Sequence, residues 1–204
     1  MSLQKIFFDL DDTLINTRDT LFRRINALSN EFKPNTAPKM VYQVLKYYPE
    51  KNDELNGYIR HSEEFWKKYR DISKKIQVSS IPGTEDVLNK LSEDNDLGII
   101  TNNNLRIVFQ RLDSSGIDLS LFSEGIHSCS ENNCSKPSTK ILDILGLSKE
   151  NILYVGDDIT DYWFAKNAGM NFYGVCTGSD DNHSFQNEGL NKNRIFPSIY
   201  EAFS

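Results

Sequence analysis

At 204 residues, with 38% hydrophobic and 25% charged residues, the chain has the size of one globular domain, or of one domain carrying an inserted subdomain, and can bury a real core. A net charge of −6 and a pI near 5.1 argue against non-specific binding to nucleic acid or anionic membranes, while leaving room for an anionic small molecule at a site that carries its own cations. No stretch approaches the roughly 18 uninterrupted apolar residues of a membrane span, and Cys129, Cys134 and Cys176 form an odd set that fits reduced thiols, so a cytoplasmic protein is expected.

The first element is the run Ile6-Phe7-Phe8, which leads directly into Asp9, Asp11 and Asp12. An unbroken apolar run reads as a strand buried on both faces, and its acidic end is then the C-terminal end, where open α/β sheets keep their ligands. It is too short for a signal peptide because Asp9 ends it. Crowded carboxylates repel one another and resist ionisation unless a cation lies among them. A hard divalent ion with oxygen ligands, Mg²⁺, answers that need.

Thr17 can cap a helix whose apolar positions Leu21, Phe22, Ile25, Leu28 and Phe32 recur at helical spacing and stop before Pro34. A shorter helix carries Val41, Val44 and Leu45 and ends near Pro49. A longer one places Leu55, Tyr58, Ile59, Phe65, Trp66, Tyr69 and Ile76 on one stripe. This aromatic stripe reads as core, and Arg60, Lys67 and Lys68 read as a solvated face. Residues 15–79 are therefore expected to be helical, without a strand.

From Ile81 the pattern becomes an alternation. Pro82-Gly83-Thr84 introduces a helix with Glu85 and Asp86 in its first turn and Val87, Leu88 and Leu91 facing inward. The strand Leu97-Gly98-Ile99-Ile100 ends at Thr101-Asn102-Asn103-Asn104. A helix through Leu105, Val108, Phe109 and Leu112 closes at Gly116. A weaker strand lies near Gly125-Ile126-His127, and a helix through Ile141, Leu142 and Leu145 stops at Gly146. Ile152-Leu153-Tyr154-Val155 is a strand ending in Gly156-Asp157-Asp158-Ile159-Thr160-Asp161. Trp163, Phe164 and Ala168 ride the next helix, and Phe172 to Val175 is the last strand. The tail from Ser179 to Lys192 reads as irregular, with a final helical turn at Ile199, Tyr200 and Phe203.

Strands separated by helices imply right-handed crossovers. The expected fold is α/β, a doubly wound parallel five-stranded sheet formed by residues 1–14 and 80–204, with 15–79 as a helical insertion. His127, Cys129 and Cys134 are close enough in sequence to suggest zinc, but no fourth ligand is evident and a plain loop is the reading taken.

Three strand ends carry polar clusters, Asp9/Asp11/Asp12, Thr101/Asn102/Asn103 and Asp157/Asp158/Asp161, and a parallel sheet brings such ends to one edge. Lys136-Pro137 adds a lone cation. Four segments in this order and spacing, Asp9-x-Asp11-x-Thr13, Thr101 after an apolar strand, Lys136-Pro137 and Gly156-Asp157-x-x-x-Asp161, resemble the four motifs of the haloacid dehalogenase superfamily across nearly the whole chain. The alternative, acids that merely cap the following turns, explains one cluster but not three and a lysine.

The resemblance implies a Rossmann-like core and phosphoryl transfer. Asp9 would be the nucleophile that forms an aspartyl-phosphate, and Asp11 the acid and then the base. Mg²⁺ would be held by the Asp9 carboxylate, the Asp11 backbone carbonyl and Asp157. Thr101, Asn102 and Lys136 would bind the phosphoryl group, with Asp161 orienting the metal's waters or Lys136. Asp12 and Asp158 read as local capping groups.

Within the family, Asp11 argues against a dehalogenase, since a halide needs no proton. The helical insertion resembles a C1-type cap, which suits a small phosphorylated metabolite as in phosphoglycolate-phosphatase-like enzymes. Nucleotidases and sugar-phosphate mutases share the motifs and remain alternatives. A catalytically silent phosphate-binding module is another, against which Asp9 and Lys136 stand. The stretch Asn132-Asn133-Cys134-Ser135 departs from the glycine-rich loop usual before the motif lysine.

Overall fold

The structure is a computed structural model that describes residues 4–20, 77–147 and 151–204, together with Glu63, Lys67 and Asp71. The chain divides into two compact units, Met1–Asn16 with Ser79–Ser204, and Thr17–Val78.

The first unit is built on a six-stranded parallel sheet in the order β5-β4-β1-β6-β7-β8. Its strands are β1 (Gln4–Phe8), β4 (Asn95–Thr101), β5 (Gly125–Ser128), β6 (Ile152–Gly156), β7 (Asn171–Val175) and β8 (Ile195–Phe196). The helices are α1 (Thr84–Ser92), α2 (Leu105–Ser115), α3 (Lys140–Leu145), α4 (Ile159–Ala168), α5 (Asn182–Asn187) and α6 (Ile199–Phe203).

β1 is central because Ile6, Phe7 and Phe8 are apolar on both faces, and all three are almost fully buried. Phe8 stands opposite Ile99 on β4 and Val155 on β6. The Asp9 N–H extends this ladder by one bond, to the Val155 carbonyl at 2.9 Å. That register aligns the ends of β1, β4 and β6 along one edge of the sheet.

Around β6, Tyr154 packs against Phe164 and Phe172 with ring centroids 5.1 and 6.4 Å away, and Phe172 packs against Phe185 at 5.9 Å. Burial of such a side chain stabilises the fold by about 1.5–3 kcal/mol. Asn104 starts α2 by accepting from the Ile107 N–H at 3.0 Å, and Asp158 starts α4 by accepting from Thr160 N–H at 2.7 Å. Asp161 completes a capping box on α4.

Three features differ from the sequence expectation. A sixth strand, β8, pairs with β7, but two residues are too short to show an alternation. The tail after Ser179 contains α5, which Asp181 caps; of its six residues only Phe185 is buried, so no apolar stripe announces it. Ile15–Asn16 (β2) and Ser79–Ser80 (β3) form a two-stranded antiparallel pair where helix was expected, because each is a two-residue segment stabilised by the other rather than by local pattern.

In the second unit, a helix begins at Arg18 directly after Thr17, and Glu63, Lys67 and Asp71 are helical. These three are exposed. The expected helices over residues 21–62 and the aromatic stripe to Ile76 lie outside the described residues.

Candidate active site

The edge at which β1, β4 and β6 end is occupied by charge. Lys136, from the loop before α3, is buried, and its ammonium donates to Asp9 Oδ1 at 2.5 Å, Asp161 Oδ1 at 2.6 Å and Tyr154 Oη at 3.0 Å. An ammonium has three hydrogens, and these contacts engage all of them. Tyr154 in turn donates to the Ile100 carbonyl at 2.7 Å. Burial alone would lower the lysine's pKa, but Asp161 and Asp9 outweigh it and hold the group well above its ordinary range. The Asp9 carboxyl is pushed up to about 7, chiefly by burial and also by the negative charges of Asp161 and Asp11, against the pull of Lys136.

Asp157 follows β6 and is also buried. Thr13 donates to its Oδ1 at 2.9 Å. Carboxylate oxygens of Asp9, Asp157 and Asp161 lie within 4.8 Å of one another, the one such acid, histidine or cysteine group among the described residues. Three carboxylates against one ammonium leave the cluster negative, and a donor set of oxygens alone suits a hard divalent cation. Two glycines make this crowding possible. A Cβ on Gly178 would stand 1.7 Å from Asp157 Oδ2, and one on Gly156 would stand 2.5 Å from the Asp161 side chain.

Thr101, at the end of β4, is buried, and its hydroxyl oxygen accepts from the N–H and the Nδ2 of Asn103, each at 3.2 Å. Its own hydrogen remains available to donate. Asn102 turns its amide oxygen to the Lys136 N–H at 2.8 Å, tying the two loops together, and the Lys136–Pro137 peptide is cis. Asp11 lies further out. Its Oδ2 accepts from Asn103 Nδ2 at 2.8 Å and from Arg111 Nη1 of α2. Thus Asp9, Lys136, Asp157 and Asp161 form one cluster, Asn102 is tied to it through the Lys136 N–H, and Asp11 and Thr101 are tied to each other through Asn103.

Asp12 adopts a left-handed backbone (φ 59°), and its carbonyl accepts from the Thr177 hydroxyl. His127 Nε2 meets the Glu124 carbonyl at 2.7 Å and Cys134 Sγ donates to the Cys129 carbonyl at 3.3 Å. Burial, followed by the neighbouring Cys134, pushes the Cys129 thiol up to about 12 and keeps it protonated.

Three participants escaped the sequence reading. In the sequence Tyr154 reads only as part of a strand, although a phenol within an otherwise apolar, fully buried strand must find a partner. Arg111 sits three residues after Val108 and four before Ser115, both buried, so helical spacing alone turns it inward. Gly178, in the loop after β7, carries no local signal, since its neighbour Asp157 is distant in sequence.

Residues 6–175 match the family model described as haloacid dehalogenase-like hydrolase. Pyrophosphatase PpaX of Listeria welshimeri is 27% identical over 174 residues, covering 80% of this chain and 78% of the relative. Among solved structures, a protein from Thermotoga maritima provisionally assigned as a β-phosphoglucomutase superposes with a TM-score of 0.79 at 18% identity, covering 98% of this chain and 97% of the other. One from Haemophilus somnus, predicted to be a phosphoglycolate phosphatase, superposes with a TM-score of 0.76 at 21% identity, covering 98% and 96%. These two likenesses concern the fold.

Proposed function

The chain belongs to the haloacid dehalogenase-like hydrolases, and from that premise we propose that it is a Mg²⁺-dependent phosphatase of small phosphomonoesters that works through an aspartyl-phosphate on Asp9. The observation that carries this reading is the meeting of Asp9, Lys136, Asp161 and Asp157, from three separate segments, at one edge of the sheet.

Asp9 attacks phosphorus, forming one O–P bond as the ester O–P bond breaks. Asp11 gives a proton to the departing oxygen, then takes one from the water that cleaves the aspartyl-phosphate, restoring both carboxyl groups and releasing phosphate. Lys136 fixes Asp9 and offsets its charge, and Asp161 keeps the lysine in place. The Thr101 hydroxyl, already an acceptor from Asn103, turns its hydrogen to a phosphoryl oxygen, with the Asn102 backbone beside it. When bound, Mg²⁺ would be held by the carboxylates of Asp9 and Asp157 and by the Asp11 backbone carbonyl, and it supplies the charge neutralisation that lets an anionic ester meet an anionic nucleophile.

Insertion of Thr17–Val78 between β2 and β3 supports reading that unit as the cap that selects the substrate. Similarity to PpaX makes inorganic pyrophosphate one ester analogue to include beside phosphoglycolate in a substrate panel. Among the described residues no helix is long and apolar enough to cross a membrane, and three free thiols support a cytoplasmic location.

The test is hydrolysis of p-nitrophenyl phosphate with and without Mg²⁺. Metal-stimulated turnover is expected, with Asp9→Asn lowering it by about a thousandfold or more. Metal-independent turnover, or an Asp9→Asn protein within tenfold of the parent, would remove the proposal.

A further inference from the structure

We propose that Arg111 is a positioning residue that fixes which oxygen of Asp11 carries the catalytic proton. The inference rests on the phosphatase reading above and goes beyond it, because neither the motif spacing nor the chemistry of the buried cluster assigns this arginine anything.

The two oxygens of Asp11 have opposite surroundings. Oδ2 accepts from two donors, Asn103 Nδ2 at 2.8 Å and Arg111 Nη1. Arg111 can only donate, since a guanidinium offers only hydrogens, and Asn103 turns the same Nδ2 to Thr101 Oγ1 as well as to Asp11. An oxygen facing two N–H groups has no acceptor for a hydrogen of its own. In this arrangement Oδ2 serves as the carbonyl oxygen of a protonated Asp11 and the hydroxyl falls on Oδ1.

Oδ1 is buried and has no hydrogen-bond partner among the described residues. A buried carboxyl oxygen without a donor is costly in a folded protein and calls for an explanation. A partner that arrives only with the reaction supplies it, first the departing ester oxygen and then the attacking water. In the first step the Oδ1–H bond breaks and its proton goes to the departing oxygen, while the O–P bond on Asp9 forms and the ester O–P bond breaks. In the second, Oδ1 takes the proton that the attacking water releases.

Arg111 is needed because Asp11 is not otherwise immobile. Both side chains are a quarter exposed, and the terminal torsion of an aspartate is broad. Asn103 alone leaves the carboxyl free to turn about a single bond, whereas a second donor from α2 defines its plane. The guanidinium also remains charged throughout.

The experiment is a leaving-group series, from phenyl phosphate to 2,4-dinitrophenyl phosphate, measured as kcat/KM with Mg²⁺ for the parent, Arg111→Gln and Arg111→Lys. This ratio reports steps up to the formation of the aspartyl-phosphate. Phenoxide needs a proton to depart and dinitrophenoxide does not. For Arg111→Gln, phenyl phosphate is expected to lose about thirtyfold or more while dinitrophenyl phosphate stays within about threefold, because general-acid assistance is worth about 10²–10⁴. Arg111→Lys, which keeps charge without the planar fork, should lie between. Equal losses on both esters, or none on either, would overturn the proposal while leaving the phosphatase reading intact. A parent protein inactive on every ester with Mg²⁺ would remove both.

Discussion

Asp9 and Asp11 stand two residues apart on the same loop, yet the protein holds them in contrasting ways. Asp9 belongs to a sealed pole: it shares an ammonium with Asp161 and Tyr154, and each of these partners is nearly or fully buried. Asp11 belongs to a rim, a quarter exposed, with one oxygen tied and the other unpartnered among the described residues. The sealed pole keeps charges in place, which low-dielectric burial makes strong and expensive to disturb. The rim keeps a carboxyl group oriented while leaving it able to exchange a proton with groups that come and go.

The contrast is broken most severely at Lys136. Lys136→Ala removes the one cation among Asp9, Asp157 and Asp161, and should lower stability by about 3–5 kcal/mol in urea unfolding, since uncompensated charges stay buried. Mg²⁺ should restore part of that loss. Next is Gly178→Ala, whose methyl group would fall on Asp157 Oδ2; Mg²⁺ affinity measured by calorimetry should fall by about 10–100-fold, with the fold retained.

A pH titration sharpens the comparison at Asp9. Its carboxyl is raised from 3.8 to about 7 in the folded chain, chiefly by burial, so the folded state holds this proton more tightly than the unfolded one. Ionising Asp9 therefore costs stability progressively as pH rises from about 4 to 7, and the cost levels off above. In metal-free protein, Asp9→Asn should gain melting temperature relative to the parent across that window, and no further gain above it. A gain that grows towards low pH would have the wrong sign. The smallest expected effect is at exposed Asn102: Asn102→Ala loses one bond to the Lys136 N–H, about 1 kcal/mol by chemical unfolding.

What the sequence disclosed depended on how local the signal was. β1, β4 and β6 were legible because unbroken apolar runs need no partner to be recognised, and their polar ends followed from parallel topology. Asp158 was legible as a cap for the same local reason. β2, β3 and β8 were not, since a two-residue strand exists only through its neighbour. The same holds in the site. Asp9, Asp157 and Lys136 announce themselves by type and spacing, whereas Gly178 matters only because Asp157, 21 residues earlier, is folded against it. Arg111 was half legible: helical spacing turns it inward, but only the structure pairs it with a residue 100 positions away.

The account depends on Asp9 receiving the phosphoryl group, and one measurement reads that directly. Enzyme mixed with Mg²⁺ and p-nitrophenyl phosphate is quenched in acid during turnover, treated with borohydride, and sequenced by mass spectrometry; borohydride converts an aspartyl-phosphate to homoserine. Homoserine at position 9, absent without substrate and in Asp9→Asn, is the predicted result. Turnover with Asp9 unmodified, or with the modification at another carboxylate, would contradict it.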